Sequence, residues 1–207
     1  MIISHSFRYV YIGIPRTGSK SMNRWLMDHY AGEWVGNHHD WRVPVDAQDY
    51  LIFTVVRNPY EKAMSGWFAI PWSAPDPAPV RQITEFAAEA RRHIPLKDGT
   101  VTIPEHNVPE VGMNQTHYVR RAGVTLALHF ERLPDCLVQL PFVDKHNVPP
   151  FPHKEERGVR PPGTFFDHFK AEDEAAVWEH ADDDFATFGY QRYSSLLPAG
   201  TADAVKL

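Results

Sequence analysis

The segment RYVYIGIPRTGSKS (8–21) decides how the chain reads. Its first half, RYVYIGI (8–14), is a short β-branched and aromatic run, the composition of a buried strand. Gly18 then allows a sharp turn and a close approach of backbone to a ligand. From Ser19 to His29, the spacing of Met22, Trp25, Leu26 and His29 predicts one face of a helix. A strand, a tight loop and a helix start form an anion site, because the first helical amides and the helix dipole both point at whatever lies above the strand. Ser19 and Ser21 add hydroxyl donors, and Arg16 and Lys20 add charge.

Outward from this segment the same alternation continues. LIFTVV (51–56) is a continuous apolar run, the pattern of an interior parallel strand, and VTLALHF (124–130) is a third strand. Strands separated by helical stretches predict an α/β layer fold with a central parallel sheet flanked by helices. In such a sheet the crossovers are right-handed and ligands sit at the carboxyl ends of the strands. With 207 residues, the chain suits one domain, 1–207. Segments 71–112 and 144–163 read as loop-rich insertions. PWSAPDPAP (71–79) lacks too many amide hydrogens for a helix or inner strand. Residues 80–93 fit an amphipathic helix with Ile83, Ala87 and Ala90 inward. DKHNVPPFPHKEERGVRPPG (144–163) is basic, Pro-rich and irregular. Residues 171–188 read as a last helix, with Ala175, Trp178, Ala181 and Phe185 on one stripe.

The net charge of −5 gives no general attraction to nucleic acid or an anionic membrane, so an anionic ligand needs a local basic pocket. No window approaches a membrane span, and the N-terminus lacks a leader pattern; the expected location is the cytoplasm. Cys136 is the only cysteine, which excludes an intrachain disulfide and reads as a small core residue.

The loop is not of the kinase type, which needs G-x-x-x-x-G-K followed by Ser or Thr. Gly13 and Gly18 have that separation, but Ser19 stands where the Lys belongs and Lys20 is one place late. A magnesium-binding Asp after the second strand is also missing; Arg57 follows LIFTVV instead. In VVRNPYEKAMSGWF (55–68), Arg57 lies at the end of a buried strand, and Asn58, Pro59 and Glu61 form a helix start. Ala63, Met64, Trp67 and Phe68 supply an apolar stripe with Ser65 among them. A guanidinium at a strand end can grip a phosphate bidentately, and a serine on the next helix can add a donor.

Together these residues resemble the sulfotransferase superfamily. PRTGSKS (15–21) is similar to the family's 5′-phosphosulfate loop, Pro-Lys-x-Gly followed by two Ser or Thr. VVRNPYEKAMS (55–65) is similar to its 3′-phosphate motif, with Arg57 and Ser65 at the family's separation. HFERLPD (129–135) and ADDDFATFGY (181–190) resemble segments of the carbohydrate-sulfotransferase branch. The resemblance implies a P-loop-like three-layer α/β fold and 3′-phosphoadenosine-5′-phosphosulfate (PAPS) as donor. Adenosine 3′,5′-bisphosphate would be the product, with no metal. It assigns Arg16, Thr17, Gly18, Ser19, Lys20 and Ser21 to the 5′-phosphosulfate, and Arg57 and Ser65 to the 3′-phosphate. The family's Lys at the place of Arg16 steadies the leaving oxygen. Arg supplies charge there in a less compact form, and Lys20 is placed to share the role.

Sulfuryl transfer also needs a base for the acceptor hydroxyl or amine. GNHHDW (36–41) offers His38 and His39, with His38 the first choice and Glu33 and Asp40 as fallbacks. Lys154, Arg157 and Arg160 form a second basic cluster, in a loop of the sort that covers the nucleotide in the wider family, or a solvated charged loop. Two alternatives stand beside the sulfotransferase reading: a P-loop kinase, which would require magnesium and ATP, and a nucleotide-binding module without turnover. The sequence does not identify the acceptor.

Overall fold

In the computed structural model, residues 1–37, 39–67, 114–152, 171–192 and 205–206 are described. The chain divides into two compact units. The first comprises Met1–Arg57, Gln115–Glu155 and Pro198–Leu207; the second comprises Asn58–Asn114 and Glu156–Leu197.

The first unit is built on a six-stranded sheet. Its strands are β1 (Ile2–Ser4), β2 (Tyr9–Ile12), β3 (Glu33–Trp34), β4 (Leu51–Val56), β5 (Leu126–His129) and β6 (Val205–Lys206), in the order β3-β1-β2-β4-β5-β6. The middle three, β2, β4 and β5, are parallel, with Tyr11 beside Phe53 and Phe53 beside Leu126. The expected parallel sheet is therefore the centre of a mixed one, since β1, β3 and β6 pair antiparallel at its edges. The chain is α/β in class.

β2 is shorter than the 8–14 run predicts. Arg8 adopts a left-handed φ of 53° in the turn from β1. At the other end, the Thr17 hydroxyl donates to the Ile14 carbonyl at 2.9 Å and His39 Nδ1 donates to the Gly13 carbonyl, so side chains take the carbonyls that a strand would use. Likewise β5 stops at His129, and Phe130–Arg132 turns into a 3-10 helix.

Helix α1 (Ser19–His29) begins and ends where the periodicity places it. Met22, Trp25 and Leu26 are buried against Tyr9, Tyr11, Phe53, Val55, Leu126 and Leu128, one face of the sheet. His29 instead is exposed, at the solvent side of the last turn. Tyr9 stacks on Phe142 with ring centroids 4.6 Å apart, and the Trp25 indole donates to the Pro149 carbonyl at 3.1 Å. Cys136 is buried in the same core, as expected; burial pushes its thiol pKa up to about 12. The alternate strand residues Val10, Ile12, Thr54, Val56 and Ala127 are buried as well, so both faces of the parallel centre are covered. Helix α3 (Gln115–Ala122) packs against β4.

In the second unit, α2 (Pro59–Trp67) starts on the expected cap. Asn58 Oδ1 accepts from the Tyr60 amide at 3.0 Å, and its carbonyl accepts from the Lys62 amide at 2.8 Å. The 171–188 stretch is two helices, α4 (Ala171–His180) and α5 (Asp182–Phe188). The break falls before Asp182, Asp183 and Asp184, whose carboxylates favour a new positive helix end over an interior position. Ala181 and Phe185 are buried and Trp178 is half-buried, but Ala175 is exposed. Tyr60 donates to Glu174 Oε1 at 2.7 Å, and Arg192 reaches the same carboxylate with bonds of 3.0 and 3.2 Å. Among the described residues no helix is long and apolar enough to cross a membrane. The helix expected at 80–93, the loops at 71–79 and 95–112, and most of 144–163 lie outside the described residues.

Candidate functional site

The candidate site lies in the first unit, at the carboxyl ends of β2, β4 and β5, where an open parallel sheet binds ligands. The loop from Gly13 to Gly18 leaves β2 and enters α1. Gly18 caps the helix with φ 79°, and its carbonyl takes the amides of Ser21 and Met22 at 3.0 and 3.1 Å. The helical amides before Ser21 therefore sit at the positive end of an 11-residue helix. Only glycine suits position 18. A Cβ there would enter the left-handed region and lie 2.8 Å from the Phe130 ring.

Thr17 and Ser19 are buried, Arg16 and Ser21 are half-buried, and Lys20 is exposed. Arg57, the first residue past β4, is buried. Its Nη1 donates to the Arg16 carbonyl at 3.2 Å, and its guanidinium lies over the Phe130 ring, 4.3 Å from the centroid. The fold thus brings Arg16 and Arg57, 41 residues apart, to one place. Burial, and after it the charge of Arg57, holds the Arg16 guanidinium below its ordinary pKa. Two like charges drawn from water and held together favour an anion between or beside them.

His39 also reaches the loop. The Gly13 carbonyl can only accept, so Nδ1 carries the hydrogen of this bond. His39 has a left-handed φ of 64°, a conformation that histidine tolerates better than most residues. His38, the first choice from the sequence, lies outside the described residues. The two fallbacks have different surroundings. Asp40 holds Arg42 through two bonds of 3.0 Å, and this pairing keeps its carboxyl below the usual range, making it a weaker base. Glu33 is exposed on β3 and pairs in register with Ile3, which pairs with Val10 early in β2.

Ser65 is half-buried on α2, in the second unit. Lys154, Arg157 and Arg160 lie outside the described residues. Sequence reasoning did not single out Gln115, and it noted Phe130 only within the HFERLPD segment, with no role at the site. Gln115 is fully buried at the start of α3. Its side-chain amide accepts from the Arg57 N–H at 2.7 Å and donates to the Arg57 carbonyl at 2.8 Å. No local pattern announces a contact that spans 58 residues. Among the described residues, no group of three His, Cys, Asp or Glu side chains is placed to hold a metal ion.

No family model, no curated protein and no solved structure matches this chain.

Proposed function

We propose that this protein is a sulfotransferase that moves a sulfuryl group from PAPS to a hydroxyl or amine of an acceptor. The convergence of Arg16 and Arg57 at the ends of neighbouring parallel strands carries the reading. It supplies a compact positive site in a chain whose net charge is −5. In this reading the fold is a P-loop-like three-layer α/β fold. Arg16, the loop and the first amides of α1 hold the 5′-phosphosulfate, with Lys20 at the outer edge, and Arg57 holds the 3′-phosphate.

The protein's part in the chemistry is alignment and charge stabilisation, as in phosphoryl transfer. The acceptor oxygen or nitrogen forms the new bond to sulfur, and the bond from sulfur to the bridging phosphate oxygen breaks. A histidine of the 36–41 segment, His38 or His39, takes the acceptor's proton, while Arg16 balances charge on the departing oxygen. The reading places the protein in the cytoplasm, with no nucleic acid or membrane partner.

A thermal-shift screen tests it, because a ligand that binds only the folded state raises the melting point. Adenosine 3′,5′-bisphosphate should stabilise the protein without added metal, and ATP with magnesium should do so much less. Equal stabilisation by ATP, or a requirement for magnesium, would turn the reading toward a kinase. Tight bisphosphate binding with no sulfuryl transfer to any acceptor would leave a binding module.

A further inference from the structure

Arg57 stands where β4 leaves the sheet. The β4–β5 pairing ends with Val56 beside His129, and the chain of β5 turns away at Phe130. The next backbone N–H and C=O of β4 would there lose their ladder partners inside a buried region, where an unmet polar group is costly. Gln115 fills the gap. Its primary amide carries a donor and an acceptor side by side, and it bonds both Arg57 backbone groups, at 2.7 and 2.8 Å. A side chain therefore extends β4 by one residue and fixes the direction in which the Arg57 side chain leaves the backbone. Phe130 fixes the other end. Its ring lies 4.3 Å from the guanidinium carbon, and the same ring closes on Gly18, so one aromatic side chain touches both the arginine and the anion loop.

We propose that Gln115 and Phe130 are positioning residues that hold Arg57 in its anion-binding orientation before any ligand arrives. The proposal rests on the reading of Arg57 as the 3′-phosphate ligand. Gln115 acts on the backbone and Phe130 on the guanidinium. Together they spare the site the ordering of a long flexible side chain on binding, which is what preorganisation contributes to affinity.

The test uses Gln115→Glu, Phe130→Leu and Phe130→Tyr in the full chain. Glu can accept from the Arg57 N–H but cannot donate to its carbonyl. Leu keeps apolar bulk without a ring face, and Tyr restores the ring. Arg57 Nε is buried, so its N–H signal should be observable by arginine-labelled NMR, assigned by its loss in Arg57→Lys. In the ligand-free wild type this signal should be rigid and displaced by the Phe130 ring current. The displacement should vanish in Phe130→Leu, return in Phe130→Tyr, and the signal should become mobile in Gln115→Glu. Calorimetry should show adenosine 3′,5′-bisphosphate bound about fivefold to thirtyfold more weakly by Phe130→Leu and Gln115→Glu, with 5′-AMP changed by less than about twofold. Phe130→Tyr should rescue the bisphosphate affinity. An Arg57 signal that stays rigid and displaced in Phe130→Leu overturns the positioning role, whatever the nucleotide does. A wild type that ignores the bisphosphate while its Arg57 signal responds to the variants overturns the nucleotide reading and leaves the positioning intact. If Gln115→Glu does not fold, the Phe130 pair alone decides.

Discussion

Arg57 is a buried guanidinium whose backbone and side chain are held by different neighbours. Its replacement by Ala should weaken binding of adenosine 3′,5′-bisphosphate by about 1.5–3 kcal/mol, the scale of a charge-assisted hydrogen bond. The affinity for 5′-AMP should hardly change, and a calorimetric titration of both ligands separates the two cases. Equal loss for both would mean that Arg57 serves the fold and no 3′-phosphate. For the base, His39 contacts the Gly13 carbonyl, while His38, the first choice from the sequence, lies outside the described residues. His39→Ala should lower turnover by roughly two to four orders of magnitude, the usual worth of general-base catalysis. Its nucleotide affinity should stay near that of wild type, and His38→Ala should be milder. Sulfuryl transfer from labelled PAPS, paired with nucleotide titration, measures both, and wild-type turnover in the double variant would remove the histidines from the mechanism. Gly18→Ala is a question of fold. A left-handed alanine costs roughly 1–2 kcal/mol before its Cβ meets the Phe130 ring, so the ligand-free melting point should fall clearly. An unchanged melting point would show that the loop relaxes.

At the scale of elements, α1 and β4 were legible to the residue, because continuous apolar runs and helical spacing are local signals. The start of α2 was legible for the same reason, since Asn58, Pro59 and Glu61 act within one turn. The edge strands were not: β1, β3 and β6 are two or three residues long, and only their partners make them strands. Nor was the division of α4 from α5 foreseen, because the apolar stripe runs past the break and only the three acidic residues mark it. Within the site, the loop residues and Arg57 were visible as motifs. Gln115, the place of Phe130 beside Arg57 and the meeting of Arg16 with Arg57 were not, since tertiary contacts create them. Helix α3 makes a prediction of its own. His117 sits edge-on to Trp41, with Arg121 one turn on. Burial, then the charge of Arg121, lowers its pKa below the ordinary 6.5. The unfolded chain therefore binds this proton more readily than the folded one. Its cost is absent above about pH 6.5 and grows as pH falls below that value. Replacing His117 with Gln should flatten the loss of stability between about pH 7 and pH 5, read as urea midpoints across that range. A parallel pH dependence in both proteins would assign the loss to other groups.

For the whole molecule, a negative chain with a local positive site predicts binding that weakens with salt through screening at the site, without affinity for bulk polyanions. Heparin or duplex DNA retaining the protein at physiological salt would contradict this. The single thiol should also stay silent: with its pKa pushed up to about 12, Cys136 should resist iodoacetamide at pH 8 until denaturant opens the core. Mass spectrometry of the alkylated protein checks it, and rapid labelling of the native chain would refute the burial. The two hydrogen bonds between Gln115 and Arg57 also close a neck in the chain. The chain leaves the sheet-bearing unit after Arg57 and re-enters it at Gln115, so the exit and the return of residues 58–114 are tied to one another. Closing a longer excursion across such a neck costs only about 0.6 kcal/mol for each doubling of its length. The closure entropy of the stretch between Trp67 and Asn114 therefore changes little with its length. A change of length there would leave the sheet and the pairing of Gln115 with Arg57 as they are.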